Sequence, residues 1–487
     1  MTAFSNILKY KYPLVLFFIL VMGSFLRLYE INQQSLWIDE GFTIMQEKSI
    51  YAHGYPLLLS GNIEFKDALL PYILSILRVF SGENFLLFRI VSVVFGVASI
   101  FIIYFLGKEY FNKNVGLLSA FFLSFSYWHI AWSRQIRSYS LFVFLFLLSL
   151  LFYAYYEKSN EKKWLYFLTI SMIFSLLAKF SFGIILIMSF LIFLVFRKKV
   201  VSCKIIALLI IPMTLAIFLT HRFLLKIFSF LGSNYLKYYT VDYFWEYFGL
   251  LFVLAIVGVY LSFSKYPPAK KHLLNLNFFI FGSTLLFFSF FSLINQRRYI
   301  FFLTPFIFIY SSYCIWHLAR SKKLLFLIIF ITIIGIDQLT MTSLNFKPKV
   351  NYFLEEYTPQ PNFAAAYKYI SENTKNEKII SPYPFMDYIY LKKTDYSLPI
   401  SYTGLPNESS LKFPTEYYTN SPRLFSSEEI VQASKDSGII VILDDMSISR
   451  SDKNMIQFIR ENGQLVFEDA NELGQKIEVY NLYQQTQ

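Results

Sequence analysis

The chain has almost no cysteine: 487 residues contain only Cys203 and Cys314. That excludes a disulfide-stapled scaffold, and it leaves the carboxyl-terminal third without any bridge. Thiol catalysis and a cysteine-type zinc site go with it. Charge is also scarce. Only 16% of residues are Asp, Glu, Lys or Arg, against roughly 25% in an average soluble domain. No nucleic-acid-binding motif is present, and no repeat of half the chain. His53 and His221 lack partners at metal-ligand spacing, so they read as structural histidines.

What fills the chain is apolar. It is 56% hydrophobic and 20% aromatic, with a mean hydropathy of +0.47. The apolar residues fall in blocks of about 17 to 22, separated by short charged clusters, the pattern of a polytopic helical membrane protein. Spans are expected near 12–29, 86–106, 114–131, 139–156, 164–179, 181–196, 205–220, 246–263, 273–294, 299–318 and 324–343.

Every second loop is basic. Lys9 and Lys11 precede the first span, Lys108 and Lys113 follow the second, and Arg197, Lys198, Lys199 and Lys204 follow the sixth. By the positive-inside rule these loops face the cytoplasm. With about eleven spans and an inside amino terminus, the carboxyl terminus is expected outside. The first span has the lysines of a signal sequence but no small-residue cleavage site, and Arg27 sits near its outer end, so it reads as a retained anchor.

The expected organisation is a membrane part over residues 1–343, with a long first outer loop at 30–85, and a soluble non-cytoplasmic α/β domain over 344–487. The tail carries 14 Lys and Arg against 19 Asp and Glu, so the excess of positive charge belongs to the membrane part. In the tail, helices are expected at 363–372 and 452–462, and strands at 378–381, 438–443, 464–467 and 476–482. The Pro- and Ser-rich stretch 382–422 reads as loop.

Candidate site residues are the charges that break this pattern. Asp39 and Glu40 stand side by side after the first span, in Leu36-Trp37-Ile38-Asp39-Glu40-Gly41. A carboxylate at a membrane boundary is partly desolvated and its chemistry can be tuned. Two outer loops that should be poor in cations contain Arg134, Arg137 and Tyr139, and Arg297, Arg298 and Tyr299. Arg134 and Arg137 are three apart and would share a face on a helical turn. Arginine suits phosphate, because its planar fork of donors stays charged. Lys66 and Asp67 in the first outer loop precede a short amphipathic stretch ending at Gly82, and would complete a site with Asp39.

In this order, the segments resemble the GT-C class of multi-spanning glycosyltransferases, in particular the protein O-mannosyltransferase and aminoarabinose transferase-like families. SLWIDEGFT looks like the acidic element after the first span. Lys66-Asp67-Ala68 stands where those families have a His- or Lys-Pro-Pro segment, keeping the lysine and losing both prolines. Arg134, Arg137 and Tyr139 match an Arg-x-x-Arg-x-Tyr element, and Arg298-Tyr299 a late Arg-Tyr before a span. The likeness covers residues 12–200 well and 290–345 loosely.

The resemblance implies transfer of a sugar from a polyprenyl-phosphate carrier to an acceptor hydroxyl on a lipid, glycan or protein, at the outer face of the membrane. Asp39 would be the general base, and Glu40 would hold an acceptor or a metal. Lys66, Arg134, Arg137 and Arg298 would stabilise the departing lipid phosphate, with Asp67, Tyr139 and Tyr299 as further candidates. No cofactor is required, and a divalent metal is allowed. The Lys-, Ile- and Phe-rich bias points to a prokaryotic plasma membrane. Two alternatives stay open: a lipid or glycan transporter or flippase, which would place charges at mid-membrane, and a non-enzymatic cell-envelope assembly protein, which would leave Asp39 and Glu40 freely replaceable.

Overall fold

The computed structural model describes residues 2–197, 206, 209–214, 234–265, 268–291, 296–320, 323–340, 344–352, 361–401, 413–435 and 437–482. Cys203, His221 and most of the expected span 205–220 lie outside these. The chain divides into two compact units. One contains residues 1–31 and 86–352, the other residues 32–85 and 353–487. The division falls elsewhere than expected: the loop 30–85 groups with the tail, not with the membrane helices, and the tail's unit begins at Phe353 rather than 344.

The first unit is helical. It contains α1 (Thr2–Leu28), α4 (Phe85–Tyr110, all but its first residue), α5 (Lys113–Phe125), α6 (Tyr127–Ser133), α7 (Tyr139–Ser159), α8 (Lys162–Ala178) and α9 (Phe180–Phe196). These are followed by α10 (Glu246–Lys265), α11 (Pro268–Phe291), α12 (Thr304–Ala319) and α13 (Lys323–Thr340). Among the described residues, six helical segments are long and apolar enough to cross a membrane: Lys11–Leu28, Phe85–Tyr110, Tyr139–Ser159, Leu236–Lys265, Lys271–Phe291 and Phe301–Ala319. They match six of the eleven expected spans. The expected spans 114–131, 164–179, 181–196 and 324–343 correspond to the shorter helices α5, α8, α9 and α13. The span at 114–131 is divided because Ser126 is extended (φ −62°, ψ 119°) and separates α5 from α6.

Local sequence sets the helix ends. Asn112 caps α5 by accepting from the amides of Asn114 and Val115, and Asn160 ends α7 in the left-handed conformation. Small residues let helices touch. A Cβ on Gly116 would strike the carbonyl oxygen of Tyr104, and one on Gly258 that of Tyr310. Close backbone approach at small residues is how helices associate where lipid removes the hydrophobic drive.

The second unit contains α2 (Ile38–His53), α3 (Leu69–Ser81), α14 (Phe363–Asn373), α15 (Pro384–Leu391), α16 (Ser427–Ser434), α17 (Asp445–Arg450) and α18 (Lys453–Asn462). Its strands are β1 (Lys378–Ser381), β2 (Tyr396–Ser397), β3 (Ile439–Asp444), β4 (Gln464–Ala470) and β5 (Lys476–Leu482), in the order β2-β1-β3-β5-β4. β1 pairs in parallel with β2 and β3, and β5 runs antiparallel to β3 and β4. Ile439, Val441 and Leu443 bury one face against Ile430 of α16 and Ile456 and Ile459 of α18. Alternation turns Ile440 and Ile442 to the other face, and α14 packs against β4 and β5. This is the expected α/β layer domain. α15 lies in the stretch expected to be loop; Pro384 stands at its start, where a missing amide costs a helix nothing.

Candidate active site

In the second unit, α2 carries the acidic pair in its first turn. Glu40 is fully buried, and its Oε2 accepts the Trp37 amide at 2.9 Å. The carboxylate thus satisfies an amide at the helix start, where negative charge also suits the helix dipole. Asp39 is half-buried on the same turn. Consecutive helical residues point about 100° apart, so the two acids are not a chelating pair, and Glu40 already serves the backbone. Among the described residues, no three His, Cys, Asp or Glu side chains gather closely enough to hold a metal.

The loop bearing Lys66 and Asp67 is fastened to α2. Gln46 Nε2 donates to the carbonyls of Glu64 and Lys66, both at 2.9 Å. Gln46 lies seven residues beyond Asp39, about 10 Å along the helix. Glu64 accepts the Lys66 amide at 3.1 Å and the Tyr417 hydroxyl at 3.2 Å; burial pushes its carboxyl up. Asp67 is in the left-handed region (φ 59°), which turns the chain into α3. The expected amphipathic stretch is α3, closed by Gly82. Farther along α2, buried Glu47 pairs with Arg78 of α3 at 3.0 Å. Burial pushes Glu47 up to about 7, outweighing Arg78.

In the first unit, Arg134 is fully buried. Its Nη1 donates to the carbonyls of Leu26, Arg27 and Tyr29 at 3.3, 3.1 and 2.7 Å, and its Nη2 to Val350 at 2.8 Å. The guanidinium also lies over the Tyr352 ring at 5.1 Å. Burial brings it down to about 10. Arg89 donates to the Ile31 carbonyl at 2.8 Å. The last carbonyls of a helix lack intrahelical partners and carry partial negative charge; Arg134 holds those of α1. Arg27 is likewise taken up by the carbonyls of Gly23, Leu123 and Ser124 and by His129 Nδ1, 2.6 Å away. The expected shared face of Arg134 and Arg137 is not formed, because α6 ends at Ser133 and residues 134–138 are a bent link.

Arg137 instead lies over the Tyr139 ring at 5.9 Å. Lys179 approaches the same ring at 4.7 Å. It is buried at the break between α8 and α9, in extended backbone. Tyr139 adjoins Phe182 at 6.2 Å, and Phe182 adjoins Tyr299 at 6.4 Å. Tyr299 stacks on Phe288 at 5.4 Å. Arg297, Arg298 and Tyr299 form one short 3-10 turn, in which Arg297 bonds Tyr247 and faces Glu246 at 3.6 Å. The two arginine–tyrosine loops therefore meet at one aromatic cluster. Sequence reasoning missed Lys179. Its signal is a lone lysine between two apolar runs, at a link that the charge rule expects outside.

The fold is one shared with solved membrane glycosyltransferases of the GT-C class. Residues 68–223 match the model of the dolichyl-phosphate-mannose-protein mannosyltransferase family. The crystal structure of ArnT from Cupriavidus metallidurans bound to undecaprenyl phosphate aligns with a TM-score of 0.67, at 10% identity, over 96% of this chain and 98% of that one. The archaeal oligosaccharyltransferase AglB from Archaeoglobus fulgidus, in complex with an inhibitory peptide and a dolichol-phosphate, aligns with a TM-score of 0.60. Identity there is 12%, over 99% of this chain and 75% of that one. No curated protein matches the sequence significantly.

Proposed function

We propose that the protein moves a sugar from a polyprenyl-phosphate donor to an acceptor hydroxyl on the non-cytoplasmic face of the membrane. The observation that carries this is the convergence of Arg137, Lys179 and the Arg298–Tyr299 turn on one aromatic cluster, within a fold whose solved relatives hold undecaprenyl phosphate and dolichol-phosphate. A lipid phosphate has its tail in the bilayer and its charge at the boundary, where such cations suit it.

In this reading, Asp39 takes the proton of the acceptor hydroxyl. The acceptor oxygen bonds to the anomeric carbon while the bond from that carbon to the phosphate oxygen breaks. The lipid phosphate leaves with added negative charge, which Arg137, Arg298, Lys66 and Lys179 stabilise. Arg134 contributes by holding the end of α1. Asp67, Tyr139 and Tyr299 shape the surroundings of these cations, and Glu40 fixes the start of α2.

The test is transfer from polyprenyl-phosphate sugars by purified protein in detergent, joined to mass spectrometry of lipid-linked sugars and envelope glycans in a deletion strain. Accumulation of one lipid-linked sugar with loss of one glycan supports transfer. Unchanged profiles, with no transfer in vitro from any of a panel of donors, would overturn it.

A further inference from the structure

The segment that immobilises the acidic helix comes from the far end of the sequence. Gly41 has no room for a side chain: a Cβ there would lie 2.6 Å from Met386 Sδ and 2.9 Å from Phe385 Cε2. The next residue, Phe42, packs against two rings that also touch each other, with centroids 5.5 Å apart. Its centroid is 4.6 Å from that of Phe385 and 4.7 Å from that of Tyr418, the latter stacked at 17°. These contacts fall within one turn of Asp39.

The turn at Tyr417 and Tyr418 also holds the Lys66 loop. The Tyr418 carbonyl accepts the Ser60 amide at 3.1 Å, and the Tyr417 carbonyl accepts Asn62 Nδ2 at 3.1 Å. The Tyr417 hydroxyl donates to Glu64, which in turn accepts the Lys66 amide. The turn itself is organised by buried Glu416, whose Oε2 accepts the amides of Tyr418 and Thr419 and the Thr419 hydroxyl at 2.8 to 2.9 Å. One short turn thus touches both segments that carry the candidate acid and lysine. Any displacement of it is transmitted to both.

We infer that Tyr418 is a positioning residue: its ring, against Phe42, sets the orientation of the first turn of α2, and hence of Asp39, while the turn that carries it sets the loop of Lys66. For Asp39 this rests on the proposed function; for the placement of α2 it does not.

The experiment uses the full chain in detergent, with Tyr418→Ala, Tyr418→Phe and Phe42→Leu. Amide hydrogen exchange is read over residues 38–46 and 54–68, beside kcat and the donor KM. Tyr418→Ala should speed exchange in both segments by about tenfold or more, with the helices of the first unit unchanged. It should lower kcat by about 10- to 100-fold, as expected for sub-ångström to ångström misplacement, and raise the donor KM as the Lys66 loop moves with the turn. Tyr418→Phe keeps the ring and should restore both. Phe42→Leu removes the stack from the other side and should speed exchange over 38–46 even where Tyr418→Ala fails to fold. Unchanged exchange over 38–46 in Phe42→Leu or a folded Tyr418→Ala would overturn the positioning. The exchange result needs no transfer assay, so a wild type without transfer would overturn the proposed function and not this contact.

Discussion

Lys179 lies 4.7 Å over the ring of Tyr139, the ring that also faces Arg137. Two cations at one buried ring favour an anion bound beside that ring. Lys179→Ala is expected to raise the apparent donor KM by about tenfold, the loss of one charge-assisted bond of about 1.5–3 kcal/mol being the upper bound. Lys179→Arg should keep most of the affinity. A donor titration with a polyprenyl-phosphate sugar reads both. An unchanged KM in the alanine variant would remove Lys179 from the phosphate site.

Asp39 and Glu40 should separate by their effects. Asp39→Asn keeps the volume and removes the base, so turnover should fall by about 10² to 10⁴ with the thermal midpoint preserved. Glu40→Ala deletes the acceptor of the Trp37 amide and should cost about 0.5–2 kcal/mol of stability. Glu40→Gln retains an acceptor and should cost less. Near-normal turnover in a folded Asp39→Asn variant would end its assignment as base.

Arg134 should behave as a structural residue. Its four carbonyl partners cannot be replaced by lysine, whose ammonium has three donors and no planar fork. Arg134→Lys and Arg134→Ala should both lower the thermal midpoint and the yield of folded protein, because each orphaned buried acceptor costs about 1–3 kcal/mol. A folded, fully stable Arg134→Ala with impaired donor binding would instead restore the direct phosphate role.

Stability should also depend on pH through Asp387. It is buried on α15 beneath the Tyr367 and Ser381 hydroxyls, at 2.6 and 2.8 Å, and burial pushes it up to about 7 from an ordinary 3.8. Between those values the native state holds a proton that the unfolded chain has lost. The contribution is therefore complete at low pH and falls as pH rises from about 4 to 7. Asp387→Asn should flatten this slope. Exchange of the second unit's amides in the full chain, at pH-corrected rates, measures it. An equal slope in the variant would assign the dependence elsewhere, with Glu47 the next group to replace.

Much of this was legible in local pattern. The strands at 378–381 and 439–444 and the helix at 453–462 follow from β-branched runs and amphipathic spacing, and the six long spans from apolar length. Asp39, Arg137 and Tyr299 stood out because charge and aromatics at span ends break a simple rule. Three things were hidden. Arg134 serves backbone carbonyls, which have no side-chain signature. Lys179 meets the Tyr139 ring from the break between α8 and α9, a contact that its place between two apolar runs does not reveal. The partnership of Phe42 with Phe385 and Tyr418 joins positions more than 300 residues apart, and no periodicity records such a contact.

That partnership has a consequence for how the protein is made. The second unit is discontinuous: residues 32–85 reach their partners only after the intervening membrane helices and residues 353–482 have been synthesised. At about 5–20 residues per second, the roughly 270 residues between the two segments take on the order of 15 to 50 seconds to translate. During that interval α2 has neither Phe385 nor Tyr418 against Phe42, and its aromatic face is uncovered. The nascent chain thus acquires its membrane helices before its acidic helix is seated. Seating of that helix therefore waits on synthesis of residues 385 and 418, which carry its aromatic partners.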